Sequence, residues 1–93
     1  MFISTSGNTP TQYVQLNTVN SLEIRDNKLV AVCDNSEYVI YDASRHGNDA
    51  RPRLEFMLEQ ILKQQAARPN GSANISYFDT MYTSYSARKA RGE

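Results

Sequence analysis

His46 is the one histidine of the 93-residue chain, and Asp42, Ser44 and Asp49 lie close to it in sequence. These are residue types from which a metal centre or an acid-base site is assembled. A metal, however, needs three or four converging ligands and a partner for the second imidazole nitrogen. One loop histidine and one distant cysteine supply neither, so the sequence predicts a solvated His46 and no metal. Cys33 is the other reactive type, and it acts as a nucleophile only where a neighbour lowers its thiol pKa. Its expected place is the apolar face of a strand between Ala31 and Tyr38, as a small core residue. No Gly-rich phosphate loop, no Ser-His-Asp set on plausible elements and no pair of carboxylates on one helical face is present. The reading is therefore non-enzymatic, with no cofactor and no small-molecule substrate.

The remaining chemistry is cationic and aromatic. Arg45, Arg51 and Arg53 are followed, after Tyr77, Phe78, Tyr82 and Tyr85, by Arg88, Lys89 and Arg91. Cations neutralise phosphates and rings stack on bases, so Arg88, Lys89 and Arg91 with Tyr82 and Tyr85 form the alternative, nucleic-acid-binding site. Against it stands the balance of ten basic and ten acidic residues. A cationic last turn is also what a helix macrodipole favours. The charge is uneven: residues 1–44 carry two basic and five acidic groups, a net −3, and residues 45–93 carry eight and five, a net +3.

A single cysteine forms no internal disulfide, which fits a reducing compartment. The opening residues Met1 to Gly7 lack a basic, apolar leader, and no stretch has the length of a membrane span. The expectation is a cytoplasmic protein without membrane contact. The acceptor patterns Asn70-Gly71-Ser72 and Asn74-Ile75-Ser76 are set aside on the same ground.

These residues are positioned by an α+β domain, and 93 residues is one domain's worth. A chain this short buries only about 60 to 65% of its unfolded surface. Residues 1–12 read as a flexible lead-in, with Phe2 and Ile3 able to add a short edge pairing. Residues 13–67 read as a sheet plus a helix, and 68–93 as a C-terminal amphipathic segment. The sheet is an antiparallel meander of three to four strands near 13–16, 21–25, 28–33 and 37–42. A two-residue turn at Asp26-Asn27 sets Ile24 opposite Leu29 and Leu22 opposite Ala31. A second turn centred between Asn35 and Ser36 sets Cys33 opposite Tyr38, Val32 opposite Val39, Ala31 opposite Ile40 and Val30 opposite Tyr41, whether its loop has two residues or four.

Asp49 is expected to cap a helix near 50–67, with Pro52 in its first turn. Leu54, Met57, Leu58, Ile61 and Leu62 make one stripe on it, within roughly 140°. Phe56 lies about 200° from Leu54 on that wheel and either meets another partner or stays in solvent. After the breaker Pro69-Asn70-Gly71-Ser72, the residues Ile75, Phe78, Met81, Tyr82 and Tyr85 predict a second helix near 75–91, although Ile75-Ser76-Tyr77 also suits a strand.

The rhythm of Tyr13 to Leu16, Ser21 to Ile24 and Glu37 to Ile40 resembles that of several small sheet-plus-helix families, LytTR-type DNA-binding domains among them. The Arg- and His-containing second half of those domains has no counterpart here. The resemblance therefore carries neither function nor residues to this chain.

With one sheet face under the helix, Val30, Val32, Val39 and Tyr41 are expected as an uncovered patch on the other, joined by Phe56. The expected function is that of a small intracellular regulator or adaptor acting through protein association, as a homodimer or with an unidentified protein partner.

Overall fold

A computed structural model of the protein describes residues 1–5 and 13–92. Two three-stranded sheets and two helices make an α+β fold. The first sheet has β1 (Phe2–Ser4) at its centre, antiparallel to β2 (Tyr13–Gln15) and parallel to β6 (Ser72–Asn74). The second is the meander β3 (Ser21–Arg25), β4 (Lys28–Val32) and β5 (Glu37–Asp42). Helix α1 spans Ala50–Ala67 and α2 spans Ile75–Ala90. The expected helices near 50–67 and 75–91 are therefore present.

The lead-in departs from expectation. Phe2–Ser4 form the central strand of a sheet rather than the short edge pairing allowed for Phe2 and Ile3, and Ile3 and Thr5 are fully buried, while 6–12 lie outside the described residues. The strand expected at 13–16 pairs with β1 rather than with the meander. Ile3 and Val14 bring two apolar side chains together across that pair, burial that no pairing internal to residues 13–67 could supply. The breaker region holds β6 as well, and it is tied into the core at Asn74. The Asn74 side chain accepts a hydrogen bond from the Ser76 N–H at 2.9 Å, capping α2, and donates to Ser4 Oγ at 2.9 Å. A helix made largely of Ser, Thr and Tyr has weak intrinsic propensity. This cap and the burial of Ile75, Phe78 and Tyr82 hold it.

The first hairpin turns at Asp26 and Asn27, whose φ angles of 51° and 60° are those of a type I′ turn. Leu22 then faces Ala31 and Ile24 faces Leu29, as expected. The second hairpin does not keep the expected register. The Cys33 N–H donates to the Ser36 carbonyl at 2.8 Å, so Asp34-Asn35 forms the loop, centred one residue earlier. Ala31 faces Tyr38, Val30 faces Val39 and Val32 faces Glu37. A bulge then absorbs Ile40, and Leu29 faces Tyr41. Because a bulge breaks the two-residue alternation, Ile40 and Tyr41 both turn inward, 2% and 8% exposed.

Leu54, Met57 and Ile61 of α1 are fully buried among Leu29, Ala31 and Ile40 of the meander, Ile3 of the first sheet and Phe78 of α2. Leu62, at the margin of the predicted stripe, is exposed. Helix α1 thus packs on β3 and β4 and on α2.

Candidate functional site

Two constellations of chemistry-bearing residues result, one packed and one open. The packed one is centred on Arg53, nine-tenths buried at the start of α1. Its Nη1 donates to the Asp79 carboxylate and, at 3.3 Å, to Thr83 Oγ1, both on α2, and its Nη2 donates to Asp49 Oδ2 at 3.0 Å. Tyr82 Oη donates to Asp49 Oδ1 at 2.9 Å, and the guanidinium lies 4.8 Å from the Tyr82 ring centroid. Asp49 makes no capping bond at the head of α1. Its carboxylate is committed to Arg53 and Tyr82 instead, which corrects the role expected of it. Among the described residues the buried Arg53 Nε meets no hydrogen-bond acceptor.

Burial opposes the Arg53 charge, yet Asp79 and Asp49 outweigh it and raise the pKa above the ordinary value. Burial, reinforced by Asp49, raises the Tyr82 phenol above its usual range, and burial with Asp79 does the same for Tyr41. Tyr41 Oη is also 3.0 Å from His46 Nε2, with the rings stacked. His46 is thus held by a tyrosine rather than left to solvent, in a segment where Gly47 takes φ of 58°. Among the described residues no three His, Cys, Asp or Glu side chains converge as a metal site would require. The network is a clasp between α1, α2 and the segment before α1. Only its Asp49-Arg53 spacing was readable in sequence. Asp79 enters through the tertiary pairing of the helices.

Of the residues expected at an open sheet face, Val30 and Tyr41 are buried, Val32 is half-buried, and Val39 is 43% exposed. Tyr41 left that face because of the bulge. Arg25 on one edge strand bridges Glu23 at 3.0 Å and Glu37 on the other edge strand at 2.9 Å. Its side chain therefore crosses β4 on the face that carries Val30. Phe56 lies apart from these four, stacked on Tyr85 at 4.9 Å between centroids and edge-on to Tyr82 at 5.4 Å. Cys33 is half-buried at the hairpin end rather than in the core. It lines a groove of about 680 Å³ with Tyr13, Thr18 and Tyr38.

The open constellation lies between the helices. Phe56, Gln60, Tyr77, Met81, Tyr85 and Arg88 line a groove of about 520 Å³. It continues past Tyr77 into a second of about 370 Å³ that reaches Gln64, Arg68 and β6. Tyr77 and Tyr85 are 53% and 39% exposed. Of the set expected to meet nucleic acid, Tyr85, Arg88 and Lys89 come together here, with the Lys89 ammonium 5.8 Å from the Tyr85 centroid. Tyr82 is buried in the clasp, and Arg91 ends α2.

No helix among the described residues is long and apolar enough to cross a membrane. No protein-family model, no curated protein and no solved structure matches the chain.

Proposed function

We propose that the chain is a small non-enzymatic intracellular regulator or adaptor that works by protein association through the groove between α1 and α2. The observation that carries this reading is the row Phe56, Tyr77, Met81 and Tyr85. Tyr77 and Tyr85 of this row stay exposed, and Phe56 and Met81 half-buried, after Ile75, Phe78 and Tyr82 of α2 have been used to complete the core. Two aromatic side chains this exposed on one helix face are typical of contact surfaces rather than of solvated helix. The sheet face that was the expected interface is a weaker basis, because Val30 and Tyr41 are used within the chain itself. An intracellular role rests on the single cysteine.

The test is paired affinity capture from the native host with the wild-type chain and a Tyr77→Glu/Tyr85→Glu variant, both checked for folding by circular dichroism. A host protein retained by the wild type and lost from the variant is expected, with hydrogen-exchange protection over residues 56–64 and 77–88. Equal retention, or protection elsewhere, would overturn the assignment. Sedimentation equilibrium of the same two proteins reads self-association: a dimer abolished by the variant would make the partner a second copy. Nucleic acid is the second reading, favoured by Arg88 and Lys89 beside Tyr85. It requires oligonucleotide binding that weakens steeply with salt.

A further inference from the structure

The charges around the groove between α1 and α2 say what kind of partner fits it. The two helices hold three acidic residues, and each is neutralised by a cation within the pair: Glu55 by Arg51 at 2.8 Å, Glu59 by Lys63 at 3.1 Å, and Asp79 by the buried Arg53. No Asp or Glu occurs among the described residues lining either section of the groove. Arg68 and Arg88 do line it, exposed at opposite ends, and neither has a carboxylate in ion-pair range among the described residues. Phe56 opposes Tyr85 at one end and Gln64 meets Tyr77 at the other, so the helices run antiparallel and each contributes the cation at its own C-terminal end. Between the cations lies the aromatic row.

We infer that the occupant is an acidic amphipathic helix of a partner protein. Its apolar stripe lies on Phe56, Tyr77, Met81 and Tyr85, and its two carboxylates meet Arg68 and Arg88. This rests on the proposed association role of the same groove. A trough walled by two helices accepts a third helix by ridge-and-groove packing. Gln64 is level with Tyr77 and Arg68 lies four residues further along α1, so the span from Arg68 to Arg88 is about 22 Å at 1.5 Å per residue, which an incoming helix covers in about fifteen residues. That is close to four turns, so acids at i and i+14 fall on the same face as apolar residues at i+4, i+7 and i+11. Single-stranded nucleic acid fits less well. Phe56 stacks on the Tyr85 ring and Lys89 lies over it, which leaves Tyr77 alone of the two exposed rings for a base to stack on.

The probe is a fluorescein-labelled, helix-favouring peptide with Glu at positions i and i+14 and Leu at i+4, i+7 and i+11. Its titration is read by fluorescence anisotropy. Comparators are the same peptide with Lys for Glu, a scrambled peptide of equal composition, and a labelled oligothymidine. The acidic helix is expected to bind at least about tenfold more tightly than its Lys counterpart. An Arg68→Glu/Arg88→Glu chain should reverse that order, and the reversal separates a charge match from a loss of folding. Tyr77→Glu/Tyr85→Glu should abolish binding of both peptides. Acidic and Lys peptides bound alike, and lost together in the Tyr variant, would overturn the acidic-partner inference while leaving the association reading in place. Scrambled peptide bound as well as the designed one would overturn the inference too, because a helical stripe would not be what is recognised. No peptide bound, with host capture indifferent to the Tyr variant, would overturn both. Preferential binding of oligothymidine, or a wild-type dimer that excludes the peptide, would assign the groove to nucleic acid or to a second copy and overturn the inference.

Discussion

Arg53 of α1 and Asp79 of α2 form an ion pair across the helix interface, their side chains 9% and 23% exposed. Asp49 holds the second guanidinium nitrogen of Arg53 at 3.0 Å. The pair ties α1 to α2 beside the apolar core that Leu54, Met57, Ile61, Ile75 and Phe78 form, and so helps fix their rotation about each other. That rotation turns Tyr82 inward and Tyr77 and Tyr85 outward.

Removing the cation leaves the carboxylates of Asp49 and Asp79 without the partner they shared, and both are exposed enough to recover part of their hydration. Arg53→Met is therefore expected to cost about 2 to 4 kcal/mol, below the full cost of breaking a completely buried pair. Arg53→Lys should also destabilise, because a single ammonium cannot reproduce the two-sided fork. Urea denaturation of Arg53→Met, Asp79→Asn and the double variant checks this. The double variant should lose clearly less than the sum of the singles.

The two buried phenols predict alkaline lability. Tyr82 and Tyr41 have folded-state pKa values raised above the ordinary tyrosine value, by burial first and then by Asp49 and Asp79 respectively. A raised folded pKa means that the folded state holds the proton more tightly. The contribution is complete below the unfolded pKa of about 10 and is lost as pH rises through the folded value. Melting temperatures between about pH 8 and 11 should fall more steeply for the wild type than for Tyr41→Phe/Tyr82→Phe. Parallel curves would show that neither phenol is coupled to folding.

In the core, Ile61 is fully buried between the meander and α2, and Ile61→Ala should cost about 2 to 5 kcal/mol. Leu62, one residue on, is 55% exposed, so Leu62→Ala should fall within about 0.5 kcal/mol of wild type. Chemical denaturation of the pair reads both.

How far the sequence carried the fold follows from which signals are local. Asp26-Asn27 carries its turn type in its own residues, so the first hairpin was legible with its register. The apolar period of three and four marked α1 and α2, and the position of Phe56 on the wrong side of α1 left it either in solvent or against a second apolar element, which α2 supplies through Tyr82 and Tyr85. The second hairpin was misread because Asp34, Asn35 and Ser36 are all turn formers, and local chemistry does not choose which two of them close the loop. The bulge at Ile40 and the sheet made by β1 and β6 depend on partners far apart in the chain. Periodicity does not encode such partners. The groove was half legible: Tyr77, Tyr85, Arg88 and Lys89 stand in one aromatic and cationic run, whereas Arg68 and the neutralised acids acquire meaning only from helix pairing.

Turn chemistry gives a fourth expectation. Asn27 sits at φ of 60° in the second central position of a type I′ turn, where glycine is preferred because it has no Cβ to strain. Asn27→Gly should raise stability slightly, by about 0.5 kcal/mol, and Asn27→Val should lower it by about 1 kcal/mol or more. Thermal unfolding of the two variants should move in opposite directions.

The last prediction separates two valines that face each other across β4 and β5 and were expected to share one open patch. Val30 is 6% exposed and Val39 is 43% exposed. The difference follows from their positions in the sheet. Val30 lies on the central strand, on the face crossed by Arg25 as it reaches from Glu23 to Glu37, whereas Val39 lies on an edge strand. A carboxylate at Val30 would be taken out of water beneath Arg25, which already serves two acids. Val30→Asp should therefore cost about 3 kcal/mol or more and unfold a domain of this size at moderate temperature. Val39→Asp places its charge in solvent, and loses only strand propensity and partial burial, about 1 kcal/mol or less. Urea midpoints for the two variants decide the matter. Equal, small losses would mean that Val30 is as wet as its neighbour and that the second face of the meander is open after all. Equal, large losses would mean that Val39 is covered too, by an assembly that buries β5.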